Sequence, residues 1–144
     1  MTIFFDMDGT IADFYGVEGW LEYLEEGNTF PYQFAKPLIR MASLAKILNR
    51  LQREGYRIGI ISWLSKSGTD EYNAEVTAVK LAWLRKHLAS VQFDEIHIVN
   101  YGVPKQQFAK TENDILFDDE ERNRENWTGQ AYDVNEIIKI LKGI

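Results

Sequence analysis

Four short stretches of the chain are almost continuously apolar: TIFF at 2–5, RIGII at 57–61, EIHIV at 95–99 and DILF at 114–117. Runs of this length without polar alternation predict strands buried on both faces, as in a parallel sheet. QAY at 130–132 is a fifth, weaker strand candidate. Between these runs the period changes. Leu44, Ile47, Leu48 and Leu51 recur at helical spacing, and Gly55 follows as a stop. Val76, Val79, Trp83, Leu84 and Leu88 form a second stripe. Val134, Ile137, Ile138 and Leu141 form a third, and Asp133 with Glu136 resembles a capping box before it. Such stripes are ordinary core-facing helix surfaces.

Strands alternating with helices predict an α/β fold with right-handed crossovers. The expected architecture is a Rossmann-like three-layer α/β/α domain, with a central, mostly parallel sheet of about five strands. In such sheets ligands bind beyond the carboxyl ends of the strands. The residues there are Asp6 and Asp8, Ser62, Asn100, and Asp118 with Asp119. Residues 13–40 break the alternation: they are rich in aromatics and interrupted by Gly16, Gly19, Gly27, Pro31 and Pro37. A connection that long predicts a small helical insert after the first strand, cap-like over the site, within a single domain spanning 1–144.

Composition narrows the function classes. The 144 residues carry a net charge of −6 with no block of like charge, so a nucleic-acid partner is not expected. There is no cysteine, which excludes disulfides and thiolate chemistry and fits a reducing compartment. No apolar stretch approaches the roughly 20 residues of a membrane span. MTIFFDMDGT has neither a basic leader nor a small-residue cleavage site, so a cytoplasmic location is expected.

The acids at the strand ends carry the chemistry. Two like charges roughly 4 Å apart repel by about 4 kcal/mol at an effective dielectric near 20. A convergence of Asp6, Asp8, Asp118 and Asp119 therefore calls for protonation or a cation, and oxygen donors without sulfur favour Mg²⁺. A carboxylate with one free oxygen can serve as a nucleophile, and a neighbour kept protonated can serve as a general acid and base. The spacing of Asp6 and Asp8, with Gly9 permitting a sharp turn, suits that division. Asp118 and Asp119 also precede EERNREN, where acids favour a helix start.

FDMDGTIADF resembles the first motif of the haloacid dehalogenase superfamily, Asp-x-Asp-Gly-Thr/Val after a hydrophobic strand. The resemblance implies that Asp6 attacks phosphorus to form an aspartyl-phosphate. It implies that Asp8 handles the proton while its main-chain carbonyl ligates Mg²⁺, and it places Thr10 at the substrate. Ser62, ending IGIIS, would hold the phosphoryl oxygens, and Trp63 beside it would contact substrate. Lys105 in GVPKQQFAK is the expected phosphate-site lysine, with Lys110 and Lys66 as rivals. ILFDDEERNREN would supply the remaining metal ligands, Asp119 directly and Asp118 beside it or through water.

DMDGTIADF together with ILFDDEERNREN is most similar to the small deoxyribonucleotidase-like branch. That implies a Mg²⁺-dependent phosphomonoesterase acting on a small phosphorylated substrate, a nucleoside or deoxynucleoside monophosphate. Alternatives are a sugar-phosphate or nucleic-acid-end phosphatase, a phosphotransferase, or a silent metal- and phosphate-binding regulatory module. Phe14, Tyr15, Trp20, Phe30, Tyr32 and Phe34 of the insert either line a base pocket or form the insert's own core. His87 and His97 read as ordinary helix and strand residues.

Overall fold

The computed structural model describes residues 1–144. Its centre is β1 (Thr2–Phe5), buried along its whole length. Side chains alternate across a strand. Ile3 and Phe5 therefore enter the larger core, and Phe4 enters a smaller one on the opposite face. β4 (Arg57–Trp63) and β6 (Ile115–Phe117) flank β1 and repeat the alternation. Ile58, Ile60, Ile115 and Phe117 face the large core, while Ile61 and Leu116 face the small one. β5 (Glu95–Val99) and β7 (Gln130–Tyr132) complete a five-stranded sheet in the order β5-β4-β1-β6-β7. Every pairing in it is parallel.

The expected α/β class and Rossmann-like sheet are what the chain adopts. The larger core is closed by α3 (Met41–Arg53), α4 (Asp70–His87) and α6 (Ile137–Lys142). The second outer layer is thin: Trp127, Phe108 and Ala109 cover the small core, beside the short α5 (Glu121–Asn126). No helix is long and apolar enough to cross a membrane.

Residues 13–40 contain α1 (Trp20–Glu25) and α2 (Phe30–Phe34). The segment is tied at its base by two short antiparallel strands, β2 (Ala12–Asp13) and β3 (Lys36–Pro37). Phe14 and Tyr32 form a separate apolar cluster with Tyr72 and Val76 of α4, so this segment rests on the amino-terminal half of α4.

Some boundaries differ from the sequence pattern for local reasons. β4 runs on to Trp63 because Ser62 and Trp63 pair with Ile98 and Val99. The third helical stripe divides into a 3₁₀ turn, Val134–Glu136, and α6. There Asp133 accepts a hydrogen bond from the Val134 N–H at 2.7 Å, the next residue's amide, in place of the box with Glu136. β6 begins at Ile115, one residue later than expected, because Asp114 is occupied by its side chain. Its carboxylate accepts from the Thr2 N–H at 2.8 Å, the Lys110 N–H at 2.8 Å, the Thr111 N–H at 3.1 Å and the Thr111 hydroxyl at 3.0 Å.

That carboxylate ties the start of β1 to the loop before β6. Burial alone raises its pKa, but the four hydrogen bonds outweigh burial and hold it below the ordinary value. A depressed folded-state pKa stabilises the fold above the unfolded-state value, about 3.9, and the contribution is lost as pH falls through the folded one. Asp114→Ala leaves buried donors unpaired and should cost about 3 kcal/mol in urea unfolding at pH 7. The gap between wild type and variant should narrow below about pH 4; a gap that stays constant down to acid pH would show that the charge contributes nothing.

Candidate active site

The loop after β1 is built to present two acids on one side. The Met7 carbonyl accepts from the N–H groups of Thr10, Ile11 and Ala12 at 3.0–3.1 Å, and the Gly9 N–H donates to the Ala12 carbonyl at 2.8 Å. Gly9 has φ +81°, and a Cβ there would collide with the Asp119 carboxylate, so only glycine fits. Met7 turns into the core at 2% exposure, leaving Asp6 and Asp8 on the other side. The Asp6 N–H bonds to the Phe117 carbonyl at 2.9 Å, which carries the β1–β6 ladder to the base of both acidic motifs. Chain direction departs from β1 toward β4 on one side and β6 on the other, so Asp6 and the Asp118–Asp119 pair flank the topological switch of the sheet.

Both Asp6 carboxylate oxygens are engaged. Oδ1 lies 2.9 Å from Lys105 Nζ, and Oδ2 lies 3.1 Å from Thr10 Oγ1. The Thr10 hydroxyl also sits 3.3 Å from Asp119 Oδ1, and it accepts from the Asp119 N–H at 3.1 Å. Lys105 bridges Asp6 to Asp118 Oδ2 at 2.7 Å and is 4% exposed, at the start of the 3₁₀ turn Lys105–Phe108. Asp118 accepts further bonds from Asn123 Nδ2 at 3.1 Å and from the Glu120 N–H at 2.9 Å, so it also braces the start of α5.

Oxygen atoms of Asp6, Asp118 and Asp119 lie within 4.8 Å of one another. Three converging carboxylates without nitrogen or sulfur donors fit a hard divalent cation of the Mg²⁺ class. Burial, and next to it the Asp6 charge, push the pKa values of Asp118 and Asp119 up. Burial depresses the Lys105 ammonium, but Asp6 and Asp118 outweigh it and raise its pKa. The cluster thus carries more negative charge than one lysine offsets.

The Asp8 side chain is not one of those three. Its Oδ2 forms an ion pair at 3.0 Å with Lys80 of α4, a residue not among the candidates from sequence. Lys80 is 1% exposed and also donates to Ser62 Oγ and to the Trp63 carbonyl, each at 2.7 Å. Its signal was present in the sequence: Lys80 stands four residues after Val76 and four before Leu84, on the apolar stripe of α4. A lysine on a core-facing stripe needs a buried anion. Burial, the largest effect, raises the Asp8 pKa; Lys80 opposes this without cancelling it.

A cavity of about 290 Å³ opens over these groups. Asp6, Asp8, Lys105 and Asp119 form its floor; Tyr15, Trp20 and Tyr32 come from the segment after β1, and Trp63 and Tyr101 from the sheet side. Trp63 donates its indole N–H to the Val103 carbonyl at 2.8 Å and packs on Tyr101 with ring centres 4.9 Å apart. Ser62 is fully buried against Lys80 and does not line the cavity. Lys66 lines it, whereas Lys110 pairs with Glu95 at 2.8 Å and takes no part.

The aromatics after β1 divide. Phe14 and Tyr32 are buried in their own cluster while touching the cavity, Tyr15 and Trp20 line it, and Phe30 and Phe34 pack against each other at a tilt outside it. His87 lies against Trp83, and His97 pairs with Glu95 and stacks on Phe108.

No family model and no curated protein sequence matches this chain. Among solved structures it is similar to the D,D-heptose 1,7-bisphosphate phosphatase from Burkholderia thailandensis, at 16% identity, covering 86% of this chain and 69% of that one, with a TM-score of 0.49. A likeness at that level assigns no activity.

Proposed function

We propose that this chain is a Mg²⁺-dependent phosphomonoesterase working through an aspartyl-phosphate on Asp6, in line with the haloacid dehalogenase resemblance of its motifs. One observation carries the reading. Asp6 is held by Lys105 and Thr10 beside two further carboxylates, while Asp8, two residues away, is held out of that cluster by a different lysine. Neighbouring acids with separate partners suit separate tasks.

Asp6, Asp118 and Asp119 would hold the cation, with the Asp8 main-chain carbonyl as a further ligand. When bound, Mg²⁺ supplies positive charge that offsets the repulsion between Asp6 and a phosphate dianion. Lys105 contributes in the same sense from the protein side. An Asp6 oxygen bonds to phosphorus as the bond to the leaving oxygen breaks, and Asp8 gives its proton to that oxygen. Asp8 then takes a proton from water, whose oxygen attacks phosphorus and releases Asp6 and inorganic phosphate. Trp63 lies beside the substrate; Thr10, expected there, is instead fully buried beneath the cavity and orients Asp6 and Asp119 through its hydroxyl, and the buried Ser62 acts from behind the phosphate site.

The substrate class follows from the cavity walls. Tyr15 and Tyr101 are 54% and 42% exposed, so both leave aromatic surface open beside the acidic floor. Planar rings stack on such surfaces, which favours a nucleoside or deoxynucleoside monophosphate. Residues 13–40 act as the cap that supplies one wall.

Two outcomes are expected. Purified protein with Mg²⁺ should release phosphate from nucleoside monophosphates in preference to sugar phosphates and phosphate-ended oligonucleotides. Asp6→Asn should lower the rate by at least about 10³-fold. A folded Asp6→Asn variant with full turnover would remove Asp6 as nucleophile. Separately, Mg²⁺ alone should raise the melting temperature by several degrees, since saturation at about 100 times Kd stabilises by about 2.7 kcal/mol. Asp119→Asn should abolish that shift; an equal shift in the variant would place the cation elsewhere.

A further inference from the structure

Lys80 is a buried cation to which the phosphatase reading above gives no task beyond holding Asp8 apart from the metal-binding carboxylates. It lies on α4, apart from both acidic motifs, and its surroundings are complete. An ammonium has three protons and accepts nothing. Here the three are directed to Asp8 Oδ2 at 3.0 Å, Ser62 Oγ at 2.7 Å and the Trp63 carbonyl at 2.7 Å. The Tyr32 ring lies beside the ammonium, 5.1 Å from Nζ to the ring centre. Tyr32 belongs to α2 and is 6% exposed, so the segment after β1 seals this ammonium from water.

We propose that Lys80 is a positioning residue that fixes the rotamer of Asp8 and decides which of its oxygens carries the proton. This inference rests on the phosphatase reading. Because the ammonium only donates, Oδ2 meets it without a proton. Any proton on Asp8 therefore sits on Oδ1, which has no hydrogen-bond partner within the protein. Asp8 lines the cavity, so its unpartnered oxygen belongs to the carboxyl group that the leaving oxygen meets. The same reasoning makes Ser62 Oγ an acceptor toward Lys80 and leaves the Ser62 proton available for another acceptor.

A neutral side chain at position 80 removes this constraint. Asp8 keeps its carboxyl group but loses its fixed orientation, and proton delivery weakens. The loss depends on how much the leaving group needs the proton. An alkoxide is a poor leaving group and must be protonated as it departs, whereas 2,4-dinitrophenolate departs without help. A merely structural contribution of Lys80 would not distinguish the two.

The test compares kcat/KM of wild type and Lys80→Met on a simple alkyl phosphate and on 2,4-dinitrophenyl phosphate, both with Mg²⁺. Folding of the variant is checked by circular dichroism and thermal melting. The expected result is a fall of about 10²-fold on the alkyl ester, of the order that general acid catalysis supplies, and a fall under about 10-fold on the aryl ester. Equal falls on both esters, or none on either, would overturn the assignment while leaving the phosphatase intact. If Lys80→Met does not fold, Lys80→Gln carries the same comparison, with the same selective loss expected and the same equal loss overturning it. A wild-type protein inactive on both esters and on nucleoside monophosphates would bring down the phosphatase reading and this inference with it.

Discussion

Repulsion among carboxylates at the end of the central strands is the constraint around which the rest of this chain is arranged. Asp6 follows β1, and Asp118 and Asp119 follow its direct neighbour β6, so parallel pairing forces their charges together. Removing even one such group from water costs several kcal/mol unless a partner compensates. Lys105 is that partner for Asp6 and Asp118, and it is itself buried. The apolar strands supply the rigidity that holds acids and lysine at hydrogen-bonding distance. Without the flanking burial of β1, β4 and β6 the acids would move apart.

Asp8 departs from the cluster although the chain places it only two residues from Asp6. It is held at the end of β4 by Lys80, which reaches in from α4 and also binds Ser62 and the Trp63 carbonyl. One ammonium thus joins three elements: the loop after β1, the end of β4 and the middle of α4. The segment after β1 closes over it through Tyr32. That segment therefore has two faces, one packed on α4 through Phe14 and Tyr32, the other lining the cavity through Tyr15 and Trp20. Its packing on α4 and its place beside the site come from the same few aromatic side chains.

Much of the fold was legible because its strands are short, largely apolar runs. TIFF, buried throughout, and EIHIV and QAY, only partly buried at the two sheet edges, each became a strand with the expected limits. The boundary at Asp114 was not legible, because a carboxylate that accepts from three backbone N–H groups and one threonine hydroxyl reads in sequence like any strand-flanking acid. Asp6, Asp118 and Asp119 stood out because acids rarely end apolar runs without a task, and strand order brings them together. Lys80 was marked in the sequence as a lysine on a core-facing stripe, but its partner was not, since its pairing with Asp8 spans 72 positions and depends on how α4 lies across the sheet. Ser62 was expected to hold phosphoryl oxygens from its place at a strand end, but the strand continues through it and it is fully buried against Lys80 of α4.

The sequence alone determined the class of fold, the direction of the strands and the acids at their ends. These depend on side-chain polarity, on continuous apolar runs and on the 3.6-residue helical period, which are local properties of the chain. Tertiary structure decided which lysine meets which acid, which aromatics face the cavity and which are core, and that Ser62 lies behind its wall. Those outcomes depend on contacts between residues far apart in the chain, where an ammonium is drawn to whichever buried anion the packing of helix on sheet brings within about 3 Å.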